Sequence, residues 1–278
     1  MPKKKNNTIK SVSIAELDIS DASCIRKIGN HGIYLINNGN KQVDKKTHIY
    51  RYTSLNTLFK ILDKETLHIP NIRSFSDLIE VHGLPRSVAP SRNYTEIDSH
   101  WVWQWKERIR KSALVCASCW TLDNCDGKKG VEQFLMWKAY GGGIYCCRMG
   151  TTIGKLTDSI KDAKYDIVIG DMLYGDNCIQ NTQADYIFHK TIHYASEQEV
   201  RMAILYNKPQ GLNLKVDVSS LFTEIKVSPF LPRCLSETIV GQLRKKLHNT
   251  NVDRSSIKEY EYLEYLNETD KRVNGKRP

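Results

Sequence analysis

The stretch HYASEQEVRMAIL, His193–Leu205, decides how this chain is read. Alternate residues of a β-strand share a face, so an extended reading sets Glu197, Glu199 and Arg201 on one side and Val200, Met202 and Ile204 on the other. The apolar side anchors such a strand in a core, and the polar side offers two carboxylates and a guanidinium, a frame suited to an active site. The same pattern also suits a solvated strand face carrying one ion pair.

Upstream, HIYRYT (His48–Thr53) alternates as a strand with Arg51 and Thr53 on one face and Tyr50 and Tyr52 on the other. Ser54 stands where it can cap a short helix striped with Leu55, Leu58, Ile61 and Leu62, and Thr66–Ile69 reads as a strand stopped by Pro70. Beyond the polar loop holding SFSDLIE, WVWQWKERIRKS predicts a helix at its charged end and ALVCASCW a strand. GVEQFLMWKAYGGG predicts a helix carrying Phe134, Leu135, Trp137 and Tyr140 that exits through Gly141–Gly143, with IYCCRM as the strand after it. Asp158–Ala163 is expected to be helical, YDIVIGDMLYG strand and turn, and ADYIFHKTIHYASEQEVRMAIL a helix and then the acidic strand. LNLKVDV and TEIKVSP alternate as strands, and SETIVGQLRKKL predicts a last helix capped by Ser236. Strands with irregularly inserted helices make an α+β fold rather than a regular βαβ array. The expected organisation is an accessory segment over residues 1–46, a catalytic α+β domain over 47–235, and a C-terminal helix with a basic tail over 236–278.

At 278 residues and 40% apolar composition, the chain can bury a substantial core and is not a disordered sequence. No run approaches the roughly 20 apolar residues of a membrane span, and MPKKKNNTIK lacks the apolar block of a secretory signal, so a cytoplasmic protein without membrane association is expected. A net charge of +10, with Lys3, Lys4, Lys5, Lys271, Arg272, Lys276 and Arg277 at the ends, favours polyanionic partners, nucleic acid first. Basic ends that only aid solubility are the plainer account. Eight cysteines in a cytosolic chain do not form a disulfide framework. Cys116 and Cys119, with Cys125, Cys146 and Cys147, make a zinc site conceivable, but no second CxxC follows and residues three apart on a strand point to opposite faces. Buried thiols are the default reading, and no metal is expected. No Gly-rich phosphate loop is present, which sets aside the usual nucleotide folds.

HIYRYTSLNTLFKILDKETLHI, SFSDLIE, CASCW, FLMWKAY, YASEQEVR and IKVSP occur in that order between Thr47 and Pro232. Together they resemble a large, poorly characterised bacterial family. More distantly, a basic residue in a first strand followed by a helix, with a late E-x-E strand, is similar to ADP-ribosyltransferases of the toxin and phage-defence type. That resemblance implies a mixed β core with flanking helices, NAD as substrate, a nucleic-acid acceptor with RNA favoured, and a neutralising antitoxin. It also implies roles. Glu199 would hydrogen-bond the nicotinamide ribose and stabilise its developing charge, and Glu197 would orient or deprotonate the acceptor. Arg51 would grip a pyrophosphate or ribose oxygen, with Thr53 adding a hydroxyl contact.

Trp120, Trp137 and Tyr140 are candidates to stack on nicotinamide, with Tyr52 and Ser118 completing the cofactor-binding set. Core packing competes for Trp137 and Tyr52, and a surface position for Arg51. Ser118 matches one subgroup's serine-threonine-serine strand only in part, and the other subgroup carries a histidine where Arg51 stands. Two other classes stay open. Asp77, Glu80, Glu197 and Glu199 could surround magnesium in a nuclease, or exposed tryptophans could serve a non-catalytic RNA-binding module.

Overall fold

The computed structural model describes residues 25–28, 32–36, 43–75, 115–125, 127–161, 165–175, 187–206 and 210–257. Asp77, Glu80, WVWQWKERIRKS and the terminal lysines and arginines lie outside the described residues. The fold is α+β. It divides into two compact units, each assembled from three stretches of chain: Met1–Asp44, Leu67–Cys119 and Ile160–Lys215 in one, Lys45–Thr66, Trp120–Ser159 and Val216–Pro278 in the other. No helix among the described residues is long and apolar enough to cross a membrane.

In the first unit, neighbouring strands run in the order Ile25–Lys27, Ile33–Ile36, Ile167–Asp171, Glu199–Leu205 and Val115–Thr121, the last two residues of which belong to the second unit. Ile33–Ile36 pairs in parallel with Ile167–Asp171, which pairs antiparallel with Glu199–Leu205. The strands are therefore mixed in direction. Val200, Met202 and Ile204 are buried on one side, and Ala203 joins Ile36, Val115, Ala117, Val168 and Phe188 in a core on the other. With apolar residues filling both faces, Glu199 and Arg201 are buried as well, not displayed at a solvated surface as the alternation suggests.

In the second unit, His48–Ser54 and Glu224–Val227 flank Cys146–Thr152 antiparallel, and Asn251–Arg254 runs parallel to Glu224–Val227. Ser54 Oγ accepts the Thr57 N–H at 3.1 Å and starts the helix Leu55–Lys64, whose buried residues are the four of the apolar stripe. Ser54→Ala is expected to lower stability by about 1 kcal/mol, read as a lower urea midpoint at unchanged slope. An unchanged midpoint would show that the cap adds nothing.

Three elements differ from expectation. The helix expected at Asp158–Ala163 lies at Ile153–Asp158, because Thr152 Oγ1 accepts the Lys155 N–H and fixes the start there. Among the described residues of ADYIFHKTIHYASEQEVRMAIL, His189–Lys190 pairs in parallel with Leu173–Tyr174, and the helix ahead of the acidic strand is a 3-10 helix, Ile192–Glu197. Ser236 is no cap. The last helix spans Arg233–Lys246 after Pro232, and Ser236 sits buried in its first turn with Oγ donating to the Arg233 carbonyl at 2.9 Å.

A buried ionic knot ties the second unit together. Arg148 donates to Asp123 at 2.6 Å, Glu224 at 2.7 Å and the Gly130 carbonyl at 2.8 Å, and its guanidinium lies 3.7 Å from the Tyr50 ring centroid. Tyr52 donates to the same Asp123 carboxylate at 2.9 Å. A Cβ on Gly150 would meet Glu224 Cγ at 2.5 Å, so this close approach needs glycine.

Candidate active site

The site begins with a local backbone choice. Glu197 ends the 3-10 helix, and Gln198 adopts a left-handed conformation at φ 45° before the strand opens at Glu199. Glu197 is therefore not on the strand, unlike the straight extended reading of E-x-E-x-R. Glu199 and Arg201 do share its face: Arg201 Nε donates to Glu199 Oε1 at 2.7 Å.

Lys190 draws the two acids together. Its ammonium lies 2.6 Å from Glu197 Oε2 and 2.7 Å from Glu199 Oε2, and it sits over the Tyr194 ring at 5.1 Å. Tyr174, opposite Lys190 in the parallel pair, accepts the Glu199 N–H at 2.7 Å. Arg201 is fixed from its other end by the Ile187 carbonyl at 2.7 Å. Glu199 Oε2 meets Lys190 as a charge, yet among the described residues it has no hydrogen bond of proper geometry. The site thus keeps one buried carboxylate oxygen with acceptor capacity.

Burial alone would raise the Glu199 carboxyl, but Arg201 and then Lys190 outweigh it, assisted by the Cys119 thiol, and lower it to about 2. Glu199 is a fixed anion at neutral pH. Because its folded value lies below the unfolded one of 4.5, its contribution to stability is complete above 4.5 and erodes as pH falls toward 2. Wild type is expected to lose urea stability across that window, and Glu199→Gln to lack this component of the slope. Parallel pH profiles for the two proteins would contradict the assignment. Burial, with the Glu199 charge adding to it, pushes the Tyr174 phenol up, so it remains protonated.

Of the other sequence candidates, Ser118 is buried in the first unit and projects from the strand face opposite Cys119. The remaining six belong to the second unit. Arg51 and Thr53 are half-buried on His48–Ser54, with the Arg51 charge partly offsetting the rise that burial imposes on the Cys147 thiol. Tyr52 and Trp137 pack edge to face at 5.0 Å, Tyr52 OH accepts the Gln133 N–H, and Trp137 Nε1 donates to Glu132 at 3.2 Å. Trp120 is buried, whereas Tyr140 is 45% exposed at its helix end. In the first unit, Lys190, Tyr174 and Cys119 escape sequence reasoning. The turn at Gln198 and the Tyr174–Lys190 register bring Lys190 and Tyr174 in, and neither is written as a periodicity.

The Cys116 thiol is buried, donates to the Tyr206 carbonyl at 3.8 Å and is pushed up to about 11 by desolvation. Among the described residues, no group of three or more His, Cys, Asp or Glu could hold a metal ion.

No protein-family model and no curated protein matches the sequence. Solved structures of Thermus sp. 2.9 DarT are remotely similar. Its complex with NAD+ has a TM-score of 0.36 at 10% identity, over 79% of this chain and 99% of that one. Its complex with ADP-ribosylated ssDNA has 0.37 at 12%, over 79% and 98%, and that with carba-NAD+ 0.35 at 11%, over 78% and 98%.

Proposed function

We propose that this chain is an ADP-ribosyltransferase that moves ADP-ribose from NAD to nucleic acid, with RNA as the favoured acceptor. One observation carries the reading: a buried, ionised Glu199, held through Oε1 by Arg201, keeps Oε2 without a directed hydrogen bond among the described residues, beside a second carboxylate, Glu197. As donor, NAD supplies an N-glycosidic bond whose rupture leaves positive charge on the ribose and expels neutral nicotinamide with the bonding electrons. Glu199 accepts a ribose hydroxyl on Oε2 and stabilises that charge, from a position fixed before the reaction. Glu197 takes the proton from the acceptor oxygen or nitrogen as that atom bonds to the ribose C1′. Lys190 sets the spacing of the two acids. Arg51 and Thr53 belong to the proposal as ligands of NAD oxygens, Ser118 as a minor polar contact, and Tyr140 and Trp120 as aromatic contacts. Tyr52 and Trp137 support the ligand from within the core.

Lys190 weighs against the nuclease alternative. An ammonium already lies between Glu197 and Glu199, so a magnesium ion brought to this pair would face a fixed like charge at close range. The test is incubation of the full chain with labelled NAD and RNA, single-stranded DNA or protein. Label is expected on polynucleotide, RNA foremost. Magnesium-dependent cleavage of the polynucleotide without NAD, and no label, would replace the transferase by a nuclease. A bacterial toxin or phage-defence effector with a neutralising partner is the biological setting we propose, tested by whether expression halts growth in a Glu199-dependent way.

A further inference from the structure

The second unit exposes aromatic and aliphatic side chains along the same stretch that carries lysines without an ion pair among the described residues. Phe134 is 41%, Leu135 72% and Tyr145 57% exposed. Lys128, Lys129 and Lys138 are exposed beside them in sequence, and the Lys138 ammonium lies 5.5 Å from the Phe134 ring centroid. Glu132 is the one carboxylate in the described residues of this stretch, and it is committed elsewhere: it accepts from Trp137 Nε1, the Ser255 hydroxyl, and the Ser256 N–H and hydroxyl. The stretch therefore presents positive charge with flat apolar groups between.

We infer that residues 128–145 form a binding surface for single-stranded polynucleotide, with bases stacking on Phe134 and Tyr145 and phosphates meeting Lys128, Lys129 and Lys138. Charge complementarity selects this occupant. A protein partner docking through Leu135 alone has no use for three exposed lysines, whereas single-stranded nucleic acid uses aromatic faces and ammonium groups together. Tyr145 is anchored without using its ring, since its carbonyl accepts the Leu55 N–H at 2.9 Å. Phe134 is likewise braced, edge to face with Phe230 at 5.8 Å. A ring held by its own backbone and neighbours stacks at low entropic cost. This surface deepens the proposed function and rests on its assignment of a polynucleotide acceptor.

The experiment measures fluorescence anisotropy of fluorescein-labelled DNA and RNA oligonucleotides with the full chain, without NAD, across a salt series. Tyr145→Ala is expected to weaken single-strand binding about tenfold. Lys128→Gln, Lys129→Gln and Lys138→Gln combined are expected to lower the slope of log affinity against log salt by about 2. The DNA and RNA arms show which sugar the surface prefers. Variants that bind with wild-type affinity and slope would overturn the inference, as would equal loss of duplex binding in Tyr145→Ala. Loss of a concentration-dependent dimer in Leu135→Ser, with oligonucleotide binding intact, would assign the surface to a second copy instead. Glu199→Gln is expected to bind as wild type does. Should labelled NAD modify nucleic acid while the surface variants bind normally, the surface falls and the reaction stands. Should the variants lose binding and no label ever transfer, the reaction falls and the surface stands.

Discussion

Glu199→Gln is expected to reduce transfer of label from NAD by roughly 10²–10³-fold, the usual cost of removing one preorganised electrostatic contact from a shielded site. The amide keeps the shape of the carboxylate and can still accept from Arg201, but it cannot answer positive charge on the ribose. Lys190 and Arg201 make the loss worse. With Glu199 neutral, Arg201 loses this carboxylate as counter-charge and Lys190 keeps Glu197, so a forming ribose cation would meet a site with more positive charge. Glu197→Gln separates the two carboxylates: nicotinamide release into water should persist while transfer to the acceptor falls, because in the proposed reaction Glu199 meets the ribose and Glu197 the incoming nucleophile. Transfer by Glu199→Gln at the wild-type rate, with the chain folded, ends the proposal.

The second large effect concerns stability. Arg148→Met should destabilise the second unit by about 3–5 kcal/mol, because Asp123 loses its cation while remaining fully buried. Methionine fills much of the volume, which separates the charge effect from a cavity. The pH dependence adds a signature. Burial already pushes the Asp123 carboxyl up despite Arg148. Without the arginine it rises further, the folded state binds a proton the unfolded chain does not, and stability recovers as pH falls. The deficit relative to wild type is thus largest at neutral pH and shrinks under acid conditions. A loss that is independent of pH would show that Arg148 acts by packing.

The fold class was legible because the patterned segments are short and locally signed. Ser54 capping Leu55–Lys64, the period-2 strand His48–Ser54 and the acidic strand Glu199–Leu205 each announce themselves within about ten residues. Where a tertiary contact decides the element, sequence falls short. Asn251–Arg254 is a strand through its parallel partner Glu224–Val227, and His189–Lys190 is one through its pairing with Leu173–Tyr174, after the buried Ile187 and Phe188. The site divides the same way. Glu199 with Arg201 follows from strand alternation, whereas Glu197 reaches its place through a left-handed Gln198, a conformation no propensity assigns to glutamine. Lys190 follows from neither rule. Its position depends on that turn and on a two-residue pairing with Leu173–Tyr174.

Each unit is stitched from three separated stretches, and this governs the order of assembly on the ribosome. His48–Ser54 emerges early but waits for Cys146–Thr152, about a hundred residues later, and the strand Asn251–Arg254 arrives later still. At roughly 5–20 residues per second, that leaves the first strand without its partner for about 5–20 seconds of translation. Such high contact order makes for slow closure. The delay leaves the half-made chain without its completed strand pairs until nearly all of it has been synthesised.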